Sequence, residues 1–94
     1  MKDLADRVAI VTGSSSGVGA ATARLLASEG CHVLINYNSN EEGANAVAGD
    51  CEAHGVETLV LRGNVAEDSD CIAMATAAID KWGRIDVLVN NAGT

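Results

Sequence analysis

The sequence predicts an α/β fold: a doubly wound, wholly parallel sheet with helices on both faces. Three observations carry this. Short aliphatic runs alternate with stretches of helical period, from one end of the chain to the other. The runs are continuous rather than alternating, as strands buried on both faces require. Glycines stand where the helical stretches should stop.

The elements follow in order. The first strand is Val8 to Thr12, and a Gly/Ser turn leads from it into a helix from about Gly17 to Glu29. That helix carries Val18, Ala21, Leu25 and Leu26 as its expected apolar face, and Gly30 follows as a left-handed stop. The second strand is Val33 to Asn36. Asn38, Ser39 and Asn40 then offer N-caps to a second helix, with Glu41 and Glu42 in its favourable first turn. This helix runs to about His54, weakened by Gly43 and Gly49, and stops at Gly55. The third strand is Thr58 to Leu61. The third helix spans Asp68 to Trp82, with Ile72, Ala75, Ile79 and Trp82 expected as one apolar stripe, and stops at Gly83. The last strand is Asp86 to Asn90. The 94 residues thus read βαβαβαβ, one segment without linkers, repeats or prolines.

Composition narrows the function. With 48% hydrophobic residues the chain can form a core, and 6 basic against 13 acidic residues give a net charge of −7. Such a balance disfavours nucleic acid and anionic membrane surfaces as partners, since both call for basic patches. No apolar run reaches membrane-spanning length. Cys31, Cys51 and Cys71 have no CxxC or paired-histidine context, so they read as reduced thiols of a cytoplasmic protein, and no metal site is expected. His32 and His54 are expected at the surface.

Right-handed crossovers with helices on both faces give the strand order 3-2-1-4. The order reverses between the first and fourth strands, and ligands of such sheets bind outside the carboxyl ends of strands at that point. Two loops, Gly13 to Gly19 and Asn90 to Gly93, should meet there. In the first, Gly13 allows a sharp turn off the strand, Gly17 admits a phosphate to the backbone, and Gly19 permits close packing of the helix. The exposed N–H groups and dipole of the helix start then favour a diphosphate. The loop is not a P-loop, because Gly13 and Gly17 are too close and no Gly-Lys-Ser/Thr follows.

The glycine spacing, G-x-x-x-G-x-G after Thr12, resembles that of the short-chain dehydrogenase/reductase family, as do Asn90-Asn91-Ala92-Gly93 and Asn64-Val65. The segment from Asn36-Tyr37 through Glu41-Glu42 most resembles the 3-oxoacyl-acyl-carrier-protein reductases within it. The resemblance covers the whole chain and implies the N-terminal part of a Rossmann-type enzyme that transfers hydride between NAD(P)(H) and a carbonyl or alcohol. It implies that Gly13, Ser15, Ser16, Gly17, Val18 and Gly19 wrap the diphosphate and adenosine ribose. Asn64 would bond the adenine edge, Val65 would pack on the ring, and Asn91, Ala92 and Gly93 would line the cofactor. For Asn90 and Asn91, bracing of the strand ends is an equal and compatible reading.

Tyr37 occupies the position where an acidic residue would grip a ribose 2′-OH, with Asn38 and Ser39 after it. Without a carboxylate there NADP is expected in preference to NAD, although Ser16 replaces the family's frequent basic residue in the glycine loop. The same Tyr37 argues against a methyltransferase with a similar loop. The family's catalytic Ser and Tyr-x-x-x-Lys have no counterpart: the sole tyrosine, Tyr37, is followed four residues on by Glu41. No catalytic residue is therefore assigned. The chain is expected to be a fragment whose partners are the remainder of its own enzyme and a small-molecule substrate, the intact enzyme being a homo-oligomer. The alternative is a non-catalytic dinucleotide-binding module.

Overall fold

A computed structural model describes residues 4–91. Four strands and three helices alternate: β1 Val8–Val11, α1 Gly17–Ser28, β2 His32–Tyr37, α2 Glu41–Glu52, β3 Thr58–Arg62, α3 Asp68–Trp82 and β4 Val87–Val89. The strands form one parallel sheet in the order β3-β2-β1-β4, as expected. In register, Ile10 lies between Leu34 and Leu88, and Val11 between Ile35 and Val89.

Alternate strand residues enter two separate cores, as the two-residue period of a strand demands. Val11, Val33 and Ile35 meet Ala20, Ala23, Ala27, Ala44 and Val47 of α1 and α2 on one face. Val8, Ile10 and Leu34 meet Met74 and Ala78 of α3 on the other. Cys31 and Cys51 are buried, Cys71 is exposed, and all three thiols are free. Burial pushes the Cys51 thiol up to about 11, so it stays protonated near neutrality. Among the described residues no helix is long and apolar enough to cross a membrane.

Two helix faces differ from expectation. In α1 the sheet is met by Gly19, Ala20, Ala23 and Ala27, while Val18 and Leu25 are 73% and 62% exposed. In α3 the buried line is Met74 and Ala78, with Trp82 partly covered, and Ile72 and Ile79 point outward. α1 lies close to both the sheet and α2 and so carries small side chains at the contact, whereas α3 fills its contact with the sheet through Met74 beside Ala78, which leaves Ile72 and Ile79 off that line. Gly43 is also more than a weak point of α2: a Cβ there would come within 2.4 Å of the Ser15 carbonyl oxygen. His32 is no plain surface residue either. Its ring stacks on Trp82 at 5.8 Å, and its Nδ1 accepts from the Glu57 amide at 3.0 Å, at the end of the sheet opposite the glycine loop.

Candidate functional site

The carboxyl ends of β1 and β4 stand side by side, and their loops are tied together. The Asn91 amide donates to Thr12 Oγ1 at 2.8 Å, and Asn91 Nδ2 donates to the Gly13 carbonyl at 3.3 Å. Thr12 Oγ1 has the Val89 carbonyl and Asn90 Oδ1 as acceptors, both at 3.3 Å. Asn90 and Asn91 therefore brace the strand ends, while Ala92 and Gly93 lie outside the described residues.

Gly13 and Gly17 both have φ of +60°, a left-handed conformation that glycine alone adopts without strain. A Cβ on Gly17 would touch nothing, so this backbone faces open space. Gly19 is the opposite case. A Cβ there would lie 2.2 Å from the Gly13 carbonyl oxygen and 2.7 Å from Asn91 Nδ2. Gly19 thus seats the start of α1 on the loop itself and on Asn91. Ser15 is half-buried, and Ser16 and Val18 are exposed along the same rim.

The electrostatics single out this helix start. The first turns of α2 and α3 hold Glu41 and Glu42, and Asp68 and Asp70, whereas that of α1 holds no acidic residue. Ser16, at its N-cap position, makes no side-chain capping bond. The N–H groups of the first turn and the positive end of the dipole are left for an external anion.

The loop is anchored from below by a residue that motif reading missed. Asn36, 1% exposed, accepts from the Gly13 amide at 3.0 Å through Oδ1 and donates to the Gly63 carbonyl at 3.2 Å through Nδ2. Its main chain exchanges bonds with Ser14: the Ser14 amide donates to the Asn36 carbonyl, and the Asn36 amide donates to Ser14 Oγ, both at 2.9 Å. Ser14 Oγ donates onward to the Val11 carbonyl at 2.7 Å. A polar residue ending a buried strand was the available signal, because a buried amide needs partners.

Beside this anchor lies a cavity of about 300 Å³ lined by Gly13, Asn36, Asn38, Gly63, Asn64, Val65 and Ala66. Asn64 is held in a turn, its Oδ1 accepting from the Ala66 amide at 2.9 Å and its own amide donating to Asp70 at 2.8 Å. Its Nδ2 is the polar group left to meet a ligand. Val65 adds an apolar wall and also lines a second cavity, of about 220 Å³, with Ile10, Met74 and Leu88 on the α3 face. Next along the rim is a shallow cavity of about 250 Å³ formed by Tyr37, Asn38, Ser39, Glu41 and Arg62. Partial burial and the neighbouring Glu41 carboxylate raise the Tyr37 hydroxyl above its ordinary value, against the pull of Arg62. Arg62 is a basic residue of this cavity that belongs to none of the sequence motifs. Tyr37, Asn38, Ser39, Asn64 and Val65 thus line two cavities that have Asn38 in common, the larger of them beside Gly13, and among the described residues no cluster suited to a metal ion occurs.

Comparison with known proteins gives this arrangement relatives. The short chain dehydrogenase family model matches residues 7–94. A 3-oxoacyl-[acyl-carrier-protein] reductase of Synechocystis is 43% identical over 93 residues, spanning 99% of this chain and 38% of the relative. An uncharacterised oxidoreductase of Methylorubrum extorquens is 41% identical over 93 residues, with the same coverage of 99% and 38%. A hydroxysteroid dehydrogenase structure from Escherichia coli superposes with a TM-score of 0.87 at 33% identity, over 97% of this chain and 38% of that one. An acetoin dehydrogenase structure from Enterobacter cloacae gives 0.86 at 38% identity, over 95% and 35%. The chain therefore spans little more than a third of the length of these relatives.

Proposed function

Since this chain belongs to the short-chain dehydrogenase family, we propose that it is the nucleotide-binding segment of an oxidoreductase that transfers hydride between NAD(P)(H) and a carbonyl or alcohol. The observation that carries the reading is the start of α1, which opens on the crevice between β1 and β4 with no carboxylate and no side-chain cap in its first turn. The bound dinucleotide supplies the hydride donor or acceptor. The chain's own residues bind and orient it. Backbone from Gly13 to Gly19 receives the diphosphate, with Ser15, Ser16 and Val18 along its rim. Asn64 and Val65 hold the adenine, Tyr37, Asn38 and Ser39 face the adenosine ribose, and Asn91 meets the cofactor, a role that Ala92 and Gly93, next in sequence, are proposed to share.

The acid/base groups belong to another part of the enzyme, because no Tyr-x-x-x-Lys pair occurs in the sequence. Tyr37, with its raised hydroxyl beside Glu41, is a poor proton donor near neutrality. NADP(H) is the preferred cofactor in this reading, since residues 37–40 carry no carboxylate to repel a 2′-phosphate. A cytoplasmic homo-oligomer acting on a small molecule completes the reading; the three free thiols suit a reducing compartment. The same lack of an acid/base pair also suits a non-catalytic dinucleotide-binding module, which the intact mass of the native protein distinguishes.

The test is titration of the native protein with NADPH and NADH, before and after Gly19→Ala. The new methyl group displaces the Gly13 carbonyl, so affinity for both cofactors should fall at least about tenfold while the circular dichroism spectrum is retained. Unchanged affinity in a folded variant would refute the assignment.

A further inference from the structure

Three of the four arginines are ion-paired on the sides of the molecule. Arg7 and Arg84 meet Asp86 at 3.5 and 2.8 Å, and Arg24 meets Asp50 at 2.8 Å. Arg62 has no carboxylate partner of this kind among the described residues, in a chain of net charge −7. It ends β3, paired in register with Tyr37 at the end of β2, which brings it to the ligand rim from a strand that the glycine loop does not touch. Its Nε donates to the Asn38 carbonyl at 3.1 Å, which holds the guanidinium by one edge and leaves the Nη groups out of that bond, and Arg62 lines the cavity of Tyr37, Asn38, Ser39 and Glu41.

Asn38 also lines the neighbouring cavity with Asn64 and Val65, so the two hollows flank that residue. A nucleoside with its base against Val65 has its ribose beside Asn38. A ribose seated there would bring its 2′ position next to the hollow that Arg62 lines.

We propose that Arg62 is the specificity-determining residue of this site: its guanidinium receives the 2′-phosphate of NADP(H), with the side chains of Asn38 and Ser39 as further donors. This rests on the dinucleotide-binding reading above and adds a residue to it. A planar fork of N–H donors matches phosphate geometry, and charge-assisted bonds of this type are stronger than neutral ones. Glu41 opposes the assignment in part. Its carboxylate shares the cavity and interacts with the Tyr37 hydroxyl, so it holds negative charge near the phosphate. Arg62 selects, and Glu41 moderates.

The experiment uses two nucleotides that differ in one group, 2′,5′-ADP and 5′-ADP, titrated by calorimetry into the native protein and its variants. Native protein should bind 2′,5′-ADP at least about tenfold more tightly, as charge-assisted bonds imply. Arg62→Gln should remove that preference while affinity for 5′-ADP stays within about twofold, Arg62→Lys should restore part of it, and Glu41→Gln should enlarge it. If the preference survives Arg62→Gln, or both nucleotides weaken equally, the assignment of Arg62 is overturned. If native protein binds 5′-ADP with no preference, Arg62 is likewise overturned and the dinucleotide reading stands. If it binds neither nucleotide, the dinucleotide reading falls and the assignment with it.

Discussion

Asn36 shows what one buried amide can hold. Its side chain bonds to Gly13 on the loop after β1 and to Gly63 on the loop after β3, so three strand ends depend on it. Replacing it with leucine, similar in size, would leave the Gly13 amide and the Gly63 carbonyl without partners. Each buried unsatisfied group costs about 1–3 kcal/mol. Asn36→Leu should therefore lower unfolding free energy in urea by about 2–4 kcal/mol and weaken dinucleotide binding together with it. An equally stable variant with native affinity would show that the clamp is dispensable. Motif reading could not find this role, nor that of Arg62, because each depends on which residue of one strand lies opposite which of another. The glycine loop was legible because its constraint is local: a turn, a close approach and a helix start within seven residues.

At the level of the element, β4 is joined to β1 by more than its ladder. Asp86, just before the strand, accepts from the Val8 amide at 2.9 Å and from Arg84 Nε and Nη2, both at 2.8 Å, with Arg7 at 3.5 Å. The Arg84 bonds chiefly, then the Val8 amide, lower its carboxyl from 3.8 to about 2. The folded value lies below the unfolded one. Its contribution is therefore complete above about pH 4 and lost as pH falls through about 2. Asp86→Asn should be less stable than native protein near pH 6, with the difference shrinking towards pH 2, as measured by urea unfolding across that range. A constant difference would mean that the charge has no part in the tie. The order of elements and their ends at Gly30, Gly55 and Gly83 were readable, because strand runs and left-handed stops are written in consecutive residues. The buried sides of α1 and α3 were misread for one shared reason. The bulkiest aliphatic residues do not mark the contact: α1 meets the sheet through Gly19, Ala20, Ala23 and Ala27, α3 through Met74 and Ala78, and Leu25, Ile72 and Ile79 lie outside.

Across the whole molecule the sheet is covered unevenly. Among the described residues β3 pairs only with β2 and β4 only with β1, and Leu88 on β4 is 66% exposed beside the apolar cavity on the α3 face. A free parallel edge with an aliphatic side chain invites pairing with another strand. Residues 1–94 expressed alone should therefore associate with rising concentration in sedimentation velocity runs, and Leu88→Lys should suppress this, since lysine blunts edges. Concentration-independent monomer for the unmodified chain would dismiss the edge as the cause. The clamp at Asn36 has a different consequence at this scale. Gly13 and Ser14 are fastened to β2 by main-chain and side-chain bonds within the chain, so this part of the loop is held in place by the fold itself. On the dinucleotide-binding reading proposed above, a nucleotide entering the crevice has little of Gly13 and Ser14 left to order. Its affinity there is spared the conformational entropy that a floppy loop would surrender, and what it gains from the helix start is kept in full.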